Sequence, residues 1–474
     1  MTRIPPEHQR IRYPWIASLI ALVAVALASA GCGVDSGGAS QTATTAASDT
    51  AVASPTPWGP TATPTPDLTV LLKDGGIAII EKAYNRLLDQ YIEPLEPSRL
   101  LAEAWAGMTQ EARALGVAPP AQPSFGGDRV AAFEAFRAAY VPLANSVPDA
   151  TKLRYGAIRQ MANSLQDCHT FFLNPVAHET LVDTRDGKGS VGIGVELASV
   201  PPLVTEVITG GPAAAAGVLV GDRIIGIDGA DATNLGPAGA YDLINGDEGT
   251  SVSLRLRRPG AAAPIEVTMT RARVNPPNVD FRIIEDRIGY VRVRNFVNGG
   301  IRKDLENVLG DFERRGLTGW IIDMRGNPGG FLDLDAISLF VRDGVIVSAR
   351  GRGGEVEEFR ASGKALPQLR PAVVLANHQT GSVAEVFVAA LQEYGVARVI
   401  GATTNGCAGY TDVQDLGDGS SLAVTTHVNI GPVSGRVLAG AGVIPDQAVA
   451  RTESDISNAR DPQLDAAVGH LLGR

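Results

Sequence analysis

Ser382 stands where covalent chemistry is possible, following the apolar run Val373-Val374-Leu375-Ala376 and opening an apolar periodic segment that runs to Tyr394. A serine at a strand-to-helix step has its backbone fixed by a buried strand. The helix N-terminus also favours negative charge developing beside it, which suits a nucleophile. The same placement suits a helix N-cap, the commoner use of serine there. A serine nucleophile needs a base, and imidazole titrates closest to neutrality. Six histidines are available: His8, His169, His178, His378, His427 and His470. Asn327-Pro328-Gly329-Gly330 reads as a turn whose last two residues, having no side chains, let the backbone approach another group closely. No His-Glu-x-x-His, paired-cysteine motif or nucleotide loop is present, so neither a metal nor a cofactor is expected.

The elements that must position these residues follow from periodicity. From Leu68 to about Leu165 the spacing is helical: Ile80, Tyr84, Leu87 and Leu88 share one face, and Ala131 to Tyr140 and Leu153 to Leu165 repeat the pattern. Around Ser190 the period shortens to strands, with Val191 to Leu197 and Leu203 to Val207 followed by Gly-rich turns, a helix over Tyr241 to Asn245 and an alternating strand over Ser251 to Arg257. Beyond a hinge at Asn275-Pro276-Pro277, strands at Ile288 to Val293, Gly319 to Met324, Pro371 to Ala376 and Arg398 to Gly401 alternate with helices at Ile301 to Arg315 and Ser382 to Tyr394. This alternation predicts an α/β core with crossover connections.

A chain of 474 residues, 45% hydrophobic and 19% charged, is long enough for two or three domains with sizeable cores. Its net charge of −10 is dispersed and no basic patch is interleaved with aromatics, which argues against nucleic acid as a partner. At the N-terminus, Arg3, Arg10 and Arg12 precede an apolar run from Trp15 to Ala30 and then Gly31-Cys32. Basic residues, an apolar stretch and small residues before a cysteine resemble a bacterial lipoprotein signal, with Cys32 carrying the lipid, although Ser29 stands where leucine is usual. The expectation is an extracytoplasmic protein anchored to the cell membrane. Residues 33–67, rich in Ser, Thr, Ala, Gly and Pro, read as a disordered tether. The remainder divides into a helical region over 68–177, a strand-rich module over 178–273 and a core over 274–474.

The strand-rich module resembles a PDZ domain of the bacterial, circularly permuted kind, with its Gly-Pro-Ala helix start, Gly-Asp turn and closing Gly-Thr-x-Val strand. The resemblance implies peptide capture by strand addition, with backbone N–H groups of Gly192 and Gly194 holding a terminal carboxylate and Ile193 and Val195 lining a side-chain pocket. Further blocks occur in order: Asp167-Cys168-His169-Thr170, Ile288-Gly289-Tyr290-Val291, Asp323 to Gly330, Thr380 to Glu385, and Gly442-Val443-Ile444-Pro445-Asp446. Together they resemble the C-terminal processing (tail-specific) serine peptidase family, of the crotonase and Clp-protease-like fold. That implies an α/β core with an N-terminal helical region and an inserted PDZ. Ser382 would be the nucleophile, and Gly329, Gly330 and Val383 would supply oxyanion-hole N–H groups. The substrates would be proteins or peptides with free C-termini.

One column departs from the family's common pattern. Most members pair serine with lysine, and Cys407 occupies the lysine position here. A branch similar to the tricorn core pairs serine with an upstream histidine, and His169 aligns with that block, so His169 is expected as general base. The acid which that branch places before the Gly-Val-x-Pro-Asp block is missing. Asp167, Asp412, Asp415 and Glu393, a backbone carbonyl, or a dyad without a third group stand as alternatives for orienting the ring. The resemblance also brings the Cys168 and Cys407 columns together at Ser382, which, in an oxidising compartment, implies a disulfide. The departures leave one competing expectation, a catalytically inactive peptide-binding or scaffolding lipoprotein. Oligomeric state is not read from the sequence.

Overall fold

The computed structural model describes residues 68–185, 190–274, 277–297 and 300–474. Cys32, the leader around it and the 33–67 tether lie outside these residues.

The first described segment is helical: α1 (Leu68–Leu71), α2 (Ile77–Gln90), α3 (Pro97–Ala114), α4 (Arg129–Ala144) and α5 (Thr151–Asn163). Their apolar faces meet in one core, where Ile80, Tyr84, Leu87 and Leu88 of α2 pack with Trp105, Phe136 and Met161. Gly107 of α3 and Gly156 of α5 make a close crossing, since a Cβ on Gly107 would sit 2.1 Å from the Gly156 carbonyl oxygen. The segment then turns into β1 (Phe171–Leu173) and α6 (Pro175–Arg185).

The strand-rich module contains β2 (Ser190–Gly192), β3 (Val195–Ala198), β4 (Leu203–Val207), α7 (Pro212–Ala215), β5 (Arg223–Ile227), β6 (Ala230–Asp231), α8 (Pro237–Ile244), β7 (Ser251–Arg257), β8 (Ile265–Thr270) and β9 (Ala272–Val274). Its sheet runs β3-β4-β5-β7-β8, which leaves β3 on an edge, and the short β2–β9 pair joins the module to the chain on either side. The alternation of Val252, Leu254 and Leu256 on β7 points these side chains into the module's own core.

The rest comprises β10 (Val279–Ile284), β11 (Ile288–Val293), α9 (Ile301–Arg314), β12 (Gly319–Asp323), α10 (Leu334–Ser338), β13 (Val345–Gly351), β14 (Val356–Arg360), β15 (Ala372–Ala376), α11 (Val383–Glu393), β16 (Ala397–Gly401), β17 (Gly409–Asp415), β18 (Ser421–Ile430), β19 (Gln447–Ala448), α12 (Glu453–Ser457) and α13 (Pro462–Leu472). A six-stranded sheet runs β10-β11-β12-β15-β16-β19 and is parallel from β11 onward. Every residue of β12 and of β15 is buried, as a parallel strand covered on both faces requires. One face, with Ile322, Val374 and Val399, packs on α9 and α11; the other, with Ile321, Val373 and Ile400, packs on α13.

A second sheet, β1-β18-β13-β14 with β17 also on β18, binds the helical segment to the core. Strands β1 and β17 both pair with β18. They begin at Phe171 and Gly409, just after His169 and Cys407, so the sheet brings together two loops separated by more than two hundred residues.

Candidate active site

Ser382 lies at the end of the loop from β15 to α11, with φ 53° and ψ −125°. A positive φ is unusual for a residue with a side chain and is held only where its surroundings over-determine it. Here the Ser382 N–H donates to the Cys407 carbonyl at 2.7 Å and to Glu385 Oε2 at 3.1 Å, while the Gly381 N–H donates to the Asn327 carbonyl at 2.9 Å. Thr380 adds a hydroxyl bond to the Met324 carbonyl at 2.9 Å. The serine hydroxyl is thereby presented on a sharp strand-to-helix turn, a geometry that suits a nucleophile.

The loop after β12 lies against this turn. A buried cluster starts it: Arg325 binds Asp323 at 2.6 Å and Asp461 at 2.7 Å, and the Tyr290 hydroxyl donates to Asp323 at 2.8 Å. Gly329 has φ 98°, and a Cβ there would stand 2.5 Å from the Ser382 Cβ, so only glycine fits. The three expected oxyanion donors separate at this point. The Gly329 N–H donates to Asn327 Oδ1 at 2.9 Å, closing a turn on the asparagine side chain. The N–H of Gly329, one of the expected oxyanion donors, is thus engaged within the turn. The N–H groups of Gly330 and of Val383, the first residue of α11, have no acceptor among the described residues. They are the available pair.

His169 reaches the same place from the other side. Its Nε2 is 3.2 Å from Ser382 Oγ, within hydrogen-bonding reach. Its Nδ1 faces sulfur, 3.4 Å from Cys168 Sγ and 3.5 Å from Cys407 Sγ. Cys168 and Cys407 are bonded to each other, with Cα atoms 6.0 Å apart. Burial holds the imidazole pKa below its ordinary 6.5, against the nearby Asp167 carboxylate, and so favours the neutral ring a base must be.

None of the four candidate acids orients this ring. Asp167 accepts from the His169 backbone N–H at 3.0 Å and from the Thr170 hydroxyl at 2.7 Å, bracing the turn rather than the imidazole. Asp412 pairs with Arg86 at 3.0 Å. Asp415 accepts from the Gly417 N–H at 2.6 Å, and Glu393 from the Val433 and Ser434 N–H groups at 2.8 Å each. The cystine sulfurs, and no carboxylate, face Nδ1.

Glu385, at the end of the Thr380–Glu385 block, is central to the scaffold. Fully buried, it takes the Ser382 N–H on one oxygen and the Gly406 N–H at 2.7 Å and the Thr404 hydroxyl at 2.5 Å on the other. One carboxyl thus clamps the Ser382 turn to the Cys407 loop. Burial drives its pKa up to about 7, against the hydrogen bonds from Thr404, Gly406, Ser382 and Cys407. Serine followed three residues later by glutamate is a capping-box signal, so its link to the turn was readable. Its link to residues 404–406 was not.

In the strand-rich module, Ile193 and Val195 are buried in the core, and Gly194, with φ 78°, accepts from the Ile208 N–H at 2.9 Å. Edge strand β3 is not open. The Tyr241 hydroxyl, reaching over from α8, accepts from the Leu197 N–H at 2.9 Å and is 3.3 Å from the Val195 carbonyl. These are the backbone groups an added peptide strand would use. The module also grips the core through half-buried charges: Glu196 binds Arg292 at 3.1 Å, Glu206 pairs with both Arg292 and Arg294, and Arg292 lies beside Gly326.

Residues 287–449 match peptidase family S41, and residues 203–258 match a PDZ domain. The chain is 31% identical over 332 residues to a carboxyl-terminal-processing protease of Synechocystis sp., covering 67% of this chain and 77% of that protein. It is 32% identical over 353 residues to a carboxy-terminal-processing protease of Bartonella bacilliformis, covering 72% and 79%. Among solved structures, a photosystem II D1 C-terminal processing protease shares the fold with a TM-score of 0.53 at 24% identity, over 79% of this chain and 93% of that one.

Proposed function

Because the chain belongs to peptidase family S41 and is a serine-type peptidase with a PDZ domain, we propose that it is an envelope endopeptidase that captures C-terminal tails and cleaves them through Ser382, with His169 as base. The observation that carries this reading is the 3.2 Å approach of His169 Nε2 to Ser382 Oγ at a site with no lysine in the expected column.

In the reaction, neutral His169 takes the Ser382 proton as Oγ attacks the scissile carbonyl. The carbonyl oxygen becomes an oxyanion facing the N–H groups of Gly330 and Val383, where each such donor is worth roughly 3 kcal/mol in the transition state. Protonated His169 then gives its proton to the leaving amine, and water repeats the sequence to release the acyl group. The names of the relatives support processing at C-termini. The PDZ domain supports recognition of a free tail, with Tyr241 leaving β3 when a peptide strand arrives. The basic, apolar and cysteine-ended leader supports export and lipid anchoring at Cys32, and the Cys168–Cys407 disulfide supports an oxidising compartment.

A serine-directed fluorophosphonate probe tests the assignment. Labelling is expected on wild type and absent in Ser382→Ala; labelling that persists in Ser382→Ala would remove that serine from the mechanism. For the anchor, metabolic palmitate labelling is expected on wild type and lost in Cys32→Ser, and an unlabelled wild type would refute lipidation.

A further inference from the structure

The sheet that carries the site ends on β10, and no strand among the described residues pairs with its outer side. The Arg294 N–H donates to the Asn278 carbonyl, which fixes the alternation along the β10–β11 ladder. Asp280, Arg282 and Ile284 therefore bond to β11, while the N–H and C=O groups of Val279, Phe281 and Ile283 point outward. Those outward residues also share one face. Phe281 meets buried Phe312 of α9 edge-on and is still 56% exposed, with Ile283 exposed beside it.

An open edge is normally guarded against a second strand. Edge strand β14 carries exposed Glu357 and Glu358 side by side, and β3 is covered by Tyr241. Strand β10 has neither device, and its register on β11 runs without a bulge. Its charges are one of each sign. Asp280 is partly exposed and binds Arg294 at 2.6 Å. Arg282 is exposed over the Tyr290 ring at 4.5 Å and has no ion-pair partner among the described residues.

The order Val-Asp-Phe-Arg-Ile complements its own reverse. When two copies of β10 pair antiparallel, their outward groups meet only where odd residues face odd residues. With most of the strand paired, the twofold axis then passes through residue 280, 281 or 282. An axis at 280 sets Asp280 opposite the second copy's Asp280, and one at 282 sets Arg282 opposite Arg282; like charges directly opposite repel. An axis at Phe281 sets Asp280 opposite Arg282 on both sides, Val279 opposite Ile283, and Phe281 opposite itself.

We propose that β10 is a homodimer edge, to which a second copy of this chain adds its own β10 antiparallel in the register centred on Phe281. Val279 with Ile283, Phe281 with Phe281 and Ile283 with Val279 each exchange both N–H···O bonds. Their side chains form one apolar row beside α9, and the two ion pairs lie on the opposite face. The axis stands perpendicular to the sheet, so the parallel strands of the two copies run in opposite directions. The Ser382 and Gly330 loops, at the C-terminal ends of β15 and β12, then open at opposite ends of the joined sheet, and neither active site is covered.

Energy transfer between donor- and acceptor-labelled pools of the full chain in detergent solution, titrated from about 1 to about 200 µM, tests this. Wild type is expected to associate saturably in the micromolar range, as a small interface does. Arg282→Asp makes both cross-strand pairs repulsive, and Phe281→Glu sets two carboxylates at the axis. Each is expected to associate at least about fivefold more weakly. Asp280→Arg is expected to fail alone in the same way, but mixed with Arg282→Asp it restores both ion pairs, and that mixture is expected to associate within about threefold of wild type. Circular dichroism checks that each variant is folded. Asp280→Arg also gives up the Arg294 pair; if it does not fold, Arg282→Asp and Phe281→Glu, both at exposed positions, decide alone. No association of wild type across this range, or association that Phe281→Glu leaves unchanged, would overturn the proposal. Weakening in the single variants without recovery in the folded mixture would keep the edge and overturn the register.

Discussion

Replacing Tyr241 with phenylalanine removes one oxygen and leaves the ring packed where it is. That oxygen accepts the Leu197 N–H and reaches the Val195 carbonyl along the edge of β3. An incoming peptide strand must displace it, so wild type gives up two hydrogen bonds before forming its own. At about 0.5–1.5 kcal/mol net for each, the competition costs about 1–3 kcal/mol. Since 1.4 kcal/mol is a factor of ten, Tyr241→Phe should tighten binding of a C-terminal peptide by roughly fivefold to a hundredfold. Fluorescence anisotropy with a labelled apolar-ended peptide, on Ser382→Ala protein to prevent turnover, measures this directly. The same peptide with an amidated C-terminus should bind weakly to both forms. Unchanged or weaker binding by Tyr241→Phe would refute the idea that Tyr241 occupies the position of a peptide strand.

Other consequences are equally direct. Gly329→Ala drives a Cβ to 2.5 Å from the Ser382 Cβ and should lower kcat at least tenfold while the chain remains folded by circular dichroism. For Glu385, a folded pKa of about 7 against an unfolded 4.5 means that the folded state holds the proton longer, so stability falls as pH rises from 4.5 through 7, by about 3 kcal/mol. Urea unfolding at pH 5 and pH 8 should show that component in wild type and lose it in Glu385→Gln. Because burial lowers the His169 pKa, the acid limb of kcat/KM should have its midpoint below 6.5, and a midpoint above 7 would contradict the neutral-base assignment. Arg292→Ala leaves the half-buried Glu196 and Glu206 with only Arg294 between them, and should cost roughly 1–3 kcal/mol in urea unfolding, between the exposed and the fully buried cases.

What the sequence could reveal divides along a physical line. Strands β12 and β15 and helix α11 were legible because burial and periodicity are local properties, and Ser382 was legible because it sits at a step between two of them. His169 was not legible from spacing, since β18 alone brings the β1 and β17 loops together. It took resemblance to an ordered set of motifs to single out that histidine. The engagement of Gly329 by Asn327 and the clamp made by Glu385 depend on side-chain direction within a tight turn, which glycine and glutamate codes do not specify. Periodicity marks Tyr241 only as part of a short helix. Its action comes from the distance between α8 and β3, a tertiary quantity. The missing acid beside His169 was legible as an absence, but what faces Nδ1 instead was settled only by the meeting of two cysteines.

The central claim is that Ser382 is activated by His169 in the absence of a lysine. Its most direct measurement is the second-order rate of fluorophosphonate labelling at Ser382 in wild type and in His169→Ala, both kept oxidised and confirmed folded. The expected result is a loss of about a hundredfold to ten-thousandfold in the variant, the range of a general base. Labelling of His169→Ala within about threefold of wild type, far below that range, would contradict it.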